Sequence, residues 1–280
     1  MSILTRSMCV TLTLFVLTSL PILSFAETIL GDVKRKITVV MPGNTLSVDG
    51  GILTGLVLVY GGELNVFNNG KINGLVIAGA GSLVNCYWGG EFLKKITIAD
   101  NSNFSASNCV LHKRLEATGA DTIELEVTTA GNILVKSSKY LRTWASHSKQ
   151  IKLYDMQGDI SISSTEIDGS LLITNTTIGG QIELTGNTLI GGKVKITDNQ
   201  GVIVVGNNVF SDLNFLARNN QMDQIVLIQN IFDSMTKVRV LDNYNALLID
   251  NDFGGDVTVK SEPCTFDANT VAGELVENCN

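Results

Sequence analysis

The chain has 280 residues, with 27 acidic against 20 basic side chains and with 27 glycines but only 3 prolines. Its formal net charge of −7 repels phosphate backbones and anionic bilayers, which excludes nucleic acid and acidic lipid surfaces as natural partners. The mix of Val, Ile, Leu and Thr with glycine and few prolines favours extended structure over helix.

Residues 1–26 have the order of an export signal. Arg6 gives a positive start, Val10 to Leu23 is uncharged and mostly apolar, and Ser24-Phe25-Ala26 puts small residues where a signal peptidase reads. Cleavage is expected after Ala26. The apolar run is short of the roughly 20 residues that cross a bilayer, and no later stretch of that length lacks polar residues, so no membrane span is expected in the mature chain. Loss of Arg6 leaves 19 basic and 27 acidic groups, a charge of 19 − 27 = −8. The expected destination is the periplasm, the cell surface or the medium.

From Asn44 to Val84 short apolar runs recur between glycines, as in Leu46-Ser47-Val48-Asp49-Gly50-Gly51 and Gly74-Leu75-Val76-Ile77-Ala78-Gly79. Gly55 and Gly74, Gly62 and Gly81, and Leu64 and Leu83 share one interval. Such a period predicts stacked coils whose strands share one aliphatic core, with glycine at the turns. The pattern resembles the passenger repeats of AIDA-type autotransporter adhesins, which implies a surface-binding β-solenoid. Those proteins close with a membrane barrel, whereas the tail here, Glu274-Leu275-Val276-Glu277-Asn278-Cys279-Asn280, is polar, so a free passenger-like module is expected.

Ile96 to Leu111 reads as strands with Asn101, Asn103 and Asn108 in turns. Gly119 to Leu153 alternates without a clean period, so irregular coils or a projecting loop are expected across 101–160, bearing Trp144 and His147. Once Cys9 leaves with the signal, four cysteines remain, and an even number in an exported chain predicts disulfides. Of the three pairings, Cys86–Cys109 with Cys264–Cys279 is favoured. Asn85-Cys86-Tyr87-Trp88 and Asn108-Cys109-Val110-Leu111 look like one motif repeated a coil later, which in adjacent coils sets the Cα atoms about 4.8 Å apart, within disulfide reach. No close cysteine pair suggests zinc.

From Ile167 onward the rhythm returns. Ile167-Asp168-Gly169, Ile178-Gly179-Gly180 and Ile190-Gly191-Gly192 recur at half-coil spacing, and Asn208-Val209-Phe210, Asn230-Ile231-Phe232 and Asn251-Asp252-Phe253 follow at full-coil spacing. The expected fold is all-β, a single-stranded parallel β-helix over 27–280 with about 19–23 residues per coil. Glycine-rich repeats fill 27–100, and Asn/Phe-ladder coils fill 161–280. The closing block Gly254 to Asn280 resembles that of exported bacterial right-handed β-helix proteins, which implies the handedness and leaves activity open.

Asn85, Asn108, Asn175, Asn208, Asn230, Asn251 and Asn269 are expected to stack in a turn and hydrogen-bond along the axis. The phenylalanines and Trp88 are expected in a core stack. Lys195, Lys237, Arg239 and Lys260 fall at outward positions, with Arg239 and Lys260 each seven residues beyond a Phe; with Trp144 and His147 they are the candidate binding residues. Stacked bases suit an acidic sugar or proton abstraction. Asp242, Asp250, Asp252 and Asp256 offer oxygens to Ca²⁺; no other cofactor or metal is expected. No Asn-Thr-Asp, Asp-Asp or His-Gly pair of the β-helix hydrolases occurs. The expectation is therefore a non-enzymatic, adhesin-like module binding carbohydrate or protein at cell surfaces or in the extracellular matrix. The alternatives are a polysaccharide lyase or hydrolase on a pectin-lyase-like β-helix, and a subunit of a larger surface assembly.

Overall fold

Alternating apolar and polar residues make each short segment a strand with one face to bury, and the residues between them must turn the chain without costly strain. The computed structural model describes residues 25–177, 180–221 and 224–279, so all but the last two residues of the expected export signal lie outside it. The described residues contain no helix and form a parallel β-solenoid of the right-handed type with about 13 turns. Every turn gives one strand to a 13-stranded sheet, sheet A, and either one long or two short strands to a 22-stranded sheet, sheet B. Coil length varies along the stack: Thr45 faces Glu63 in the next coil, Ile160 meets its partner only at Ile182, and near the end Ala246 faces Cys264, as short a step as the first.

One aliphatic core runs between the sheets from Ile29 to Val259. In the later coils it includes Phe210, Phe232 and Phe253, whose rings stack with centroids 4.7 and 4.9 Å apart. Trp88 is not part of any core stack. It occupies a left-handed turn at φ 50° and is 68% exposed, since a residue in that turn points its side chain to solvent.

The chain leaves and re-enters sheet A through left-handed residues, among them Asn108, Val127, Ala145 and Gln229 at one turn and Asn101, Asp198 and Asn219 at the other. The residue after each points inward and carries the ladder. Asn187, Asn208, Asn230, Asn251 and Asn269 form one file, each side-chain amide bonded to the next at 2.9–3.0 Å. Asn199, Asn220 and Asn243 form a second file at the opposite turn. Asn108 and Asn175 belong to neither; they hold the left-handed turn itself, exposed, at φ 54° and 59°. Asn85 lies on the outer face of sheet A, where its amide bonds Asn65 at 2.9 Å.

No loop projects from 101–160. Thr122–Glu126 pairs with Tyr140–Trp144, which continues onto Ile160–Ser163. The period is hidden there because Thr129–Lys136 and His147–Tyr154 run as unbroken eight-residue strands, and the second places Lys149 at the corner where the first has Gly131.

Both expected disulfides are present, with Cα separations of 6.2 Å for Cys86–Cys109 and 4.9 Å for Cys264–Cys279. The two halves of the first are not equivalent positions. Cys86 faces Ala106 in sheet A, while Cys109 follows the left-handed Asn108 three residues later. The bridge crosses the coil at Gly90, where a Cβ would stand 2.8 Å from the Cys86 sulfur.

Candidate functional site

Parallel register turns residues about one coil apart into neighbours, so outward side chains form columns along the axis. On sheet A two columns run side by side: Asn85, Ser105, Glu124, Arg142 and Ser161, and Tyr87, Ser107, Glu126, Trp144 and Ser163. Ser105 and Ser107 are small between larger neighbours, and a trough of about 140 Å³ opens there, lined also by Glu124, Glu126, Arg142 and Trp144. Trp144 is 41% exposed. At the other end Tyr87 lies against Trp88, ring centroids 6.3 Å apart. Glu124, Glu126 and Arg142 make no ion pair with one another or with other described residues. The trough thus joins one aromatic face, that of Trp144, to free hydrogen-bonding groups of both kinds, with Tyr87 next along the column beyond Ser107. Trp144 was legible as a candidate; the serines and glutamates were not, because only the register brings them beside it.

The four candidate bases on sheet B are all exposed but do not form one cluster. Lys195 and Arg239 share a column with Leu216 between them; Lys237 stands in the next column opposite Asn214, and Lys260 in a third opposite Leu241. Arg239 and Lys260, each seven residues after a Phe, are not stacked: Arg239 faces Thr258. The corner from Phe232 to Val238 is two residues longer than that from Phe253 to Val257, which shifts the count. Three separate depressions result, of about 410 Å³ at Lys195, 290 Å³ at Lys237 and Arg239, and 460 Å³ at Lys260.

The four aspartates proposed for Ca²⁺ do not converge. Asp242 pairs with Arg218 at 3.3 Å, Asp250 accepts from Gln229 at 3.2 Å, Asp252 from Thr270 at 2.7 Å, and Asp256 from the Glu274 backbone at 3.2 Å. Among the described residues the group of metal-type donors that does converge is His147, Glu166 and Asp168. His147 opens a strand of sheet B just past the turn from Trp144, so it lies beside sheet A and does not overhang the bases.

Further along sheet A the outward face turns aliphatic: Val204, Val226 and Leu247 in one column, with Ile228 and Ile249 beside them. Among the described residues no helix is long and apolar enough to cross a membrane. Comparison with protein-family models, with curated proteins and with solved structures finds no match to this chain.

Proposed function

We propose that this is a non-enzymatic, exported β-solenoid that binds carbohydrate chains through sheet A, as an adhesin-like or matrix-binding module. The observation that supports it is the trough at Ser105 and Ser107. An exposed indole offers a flat apolar face to the C–H side of a sugar ring, and Glu124, Glu126 and Arg142 supply acceptors and donors for its hydroxyls. Two carboxylates against one guanidinium disfavour uronates, so the ligand is an uncharged polysaccharide. Tyr87 and Trp144 are three coils apart, about 14 Å along the axis, enough for a short oligosaccharide lying parallel to it. Two disulfides accord with the oxidising compartment that export requires.

Affinity electrophoresis and calorimetry against uncharged and uronate polysaccharides test this. Binding to an uncharged chain is expected, weakened about tenfold or more by Trp144→Ala, as for a buried aromatic anchor, and unchanged by Lys237→Ala. No binding to any member of a broad panel overturns the reading.

The lyase alternative has less support, because its bases lie in separate depressions. Incubation with uronate polymers, with and without Ca²⁺, followed by ultraviolet absorbance, tests it; a rise abolished by Lys237→Ala would replace binding with catalysis. The aliphatic half of sheet A favours a second reading, association with other copies in a surface assembly. Molar mass that rises with protein concentration is its expected signature, and a concentration-independent monomer removes it.

A further inference from the structure

We propose that His147, Glu166 and Asp168 bind one divalent ion of borderline softness, Zn²⁺ or a neighbouring late transition metal. The coil makes this site; no local motif does. Glu166 and Asp168 lie two residues apart and project outward, with Ile167 between them fully buried. His147 opens the strand of the preceding coil and stands opposite Glu166 in register. One donor atom from each of the three lies within 4.8 Å of the other two, and His147 Nε2 is 2.7 Å from Asp168 Oδ2. Ligands held tetrahedrally at 2.0–2.2 Å stand about 3.3–3.6 Å from one another, a spacing inside that range. The side chains are half-buried or exposed, so rotamer adjustment costs little.

Charge separates this cluster from an ordinary ion pair. Two carboxylates face one imidazole, and among the described residues no Lys or Arg pairs with Glu166 or Asp168. A neutral imidazole, the form that binds metals, leaves both carboxylate charges uncompensated; a divalent ion neutralises the pair. The chain holds an internal contrast in Glu91, a single carboxylate that meets Lys71 at 2.8 Å and His112 at 3.0 Å. There the charge is balanced without a metal.

The donor set also selects the ion. Imidazole with carboxylates suits zinc, nickel, cobalt or copper, whereas Ca²⁺ takes six to eight oxygens and gains nothing from a nitrogen ligand. Three protein ligands leave a coordination position open to solvent or to a group from a partner. The bound ion would tie two successive coils together on their outer side.

Titration calorimetry of the purified, tag-free protein with ZnCl₂ near neutral pH tests the site. One ion per chain is expected, with affinity weakened about tenfold or more by His147→Ala and by Asp168→Asn separately, as loss of one of three ligands requires, and unchanged by His112→Ala. Melting temperature should rise with Zn²⁺ by mass action in the wild type and not in His147→Ala. Co²⁺ should give the visible absorption of a tetrahedral site. Both substitutions fall on outward side chains, and metal-free melting of each variant checks its fold. Absence of Zn²⁺ binding, binding retained by both variants, or Ca²⁺ binding as tightly as Zn²⁺ would each overturn the proposal.

Discussion

A single asparagine in the ladder does several jobs at once. Asn208 Oδ1 accepts from the backbone and side-chain amides of Asn187, and its Nδ2 donates to Leu184 O at 2.8 Å and to Asn230 Oδ1 at 3.0 Å. The residue is 1% exposed, so water cannot replace these partners. Asn208→Ala should therefore cost about 2–3 kcal/mol in urea unfolding, the penalty for stranding buried donors and acceptors. Asn208→Asp should cost more, because it also buries a charge and sets a carboxylate oxygen against the acceptors Leu184 O and Asn230 Oδ1. Backbone conformation is set at the same scale. A Cβ on Gly74 would stand 1.6 Å from Gly55 O, so Gly74→Ala is expected to abolish soluble expression or lower the melting temperature sharply. The Asn-x-Phe units disclosed the file from Asn208 to Asn251 and the closing Asn269-Thr270-Val271 extended it, but Asn187 and the file Asn199, Asn220 and Asn243 have no aromatic partner two residues on. Their inward direction depends on the left-handed residue before each, a conformation the letters alone leave undetermined.

Between elements, neighbouring coils are held by cross-strand pairs and by the Cys86–Cys109 bridge. Replacing both cysteines by Ala should destabilise by about 2–4 kcal/mol, the usual effect of opening a loop of this size. Its measure is the urea midpoint of the variant against the oxidised wild type. The ion pairs add a pH dependence. Glu91 is held below the usual carboxylate range, first by the hydrogen bond from the Lys71 ammonium, against desolvation that pushes it up, and then by His112. A lowered carboxyl contributes stability above its unfolded pKa and loses it as pH falls through the folded value. Glu91→Gln should accordingly melt lower than wild type at neutral pH, by at most about 1 kcal/mol after solvent screening. The difference should vanish as the pH is brought below the carboxylate range. Glu116, lowered by the Lys95 ammonium, should behave alike. At this scale the cysteine pairing was readable, though through a false equivalence. Leu83, which a constant period sets opposite Leu64, likewise faces Glu63 instead, because that coil is slightly longer than the count assumes.

Across the whole molecule, a stack has no long-range closure, and each coil depends on its immediate neighbours. Strand Ile203–Gly206 is covered on both sides, by Ile182–Thr185 and Ile225–Ile228, whereas Leu275–Asn278, among the described residues, has a strand partner on one side, Val257–Lys260, and falls in the exposed class along its length. Hydrogen exchange should reflect this, with amides of Ile203–Gly206 among the slowest and those of Leu275–Asn278 among the fastest. Equal protection at both places would contradict nearest-neighbour stability. The same architecture explains why a long outward surface can differ so much along its length: polar and aromatic near Ser105, carboxylate-rich at Glu166, aliphatic at Val226 and Leu247.

The chain's periodicity by itself determined the all-β class, the stacking of parallel coils and the pairing of the cysteines, because burial of alternate residues and turns of restricted backbone leave repeating marks. The stretch where that periodicity lapses put Trp144 and His147 forward as candidates. What only the tertiary structure decided was which residues stand next to one another. Coil length varies by a few residues and the corners vary independently, so a fixed count drifts out of register: it joined Arg239 to Lys260, which are not neighbours, and passed over Glu166 beside His147, which is. Sites on a solenoid surface are made across coils, at a spacing fixed by every turn in between.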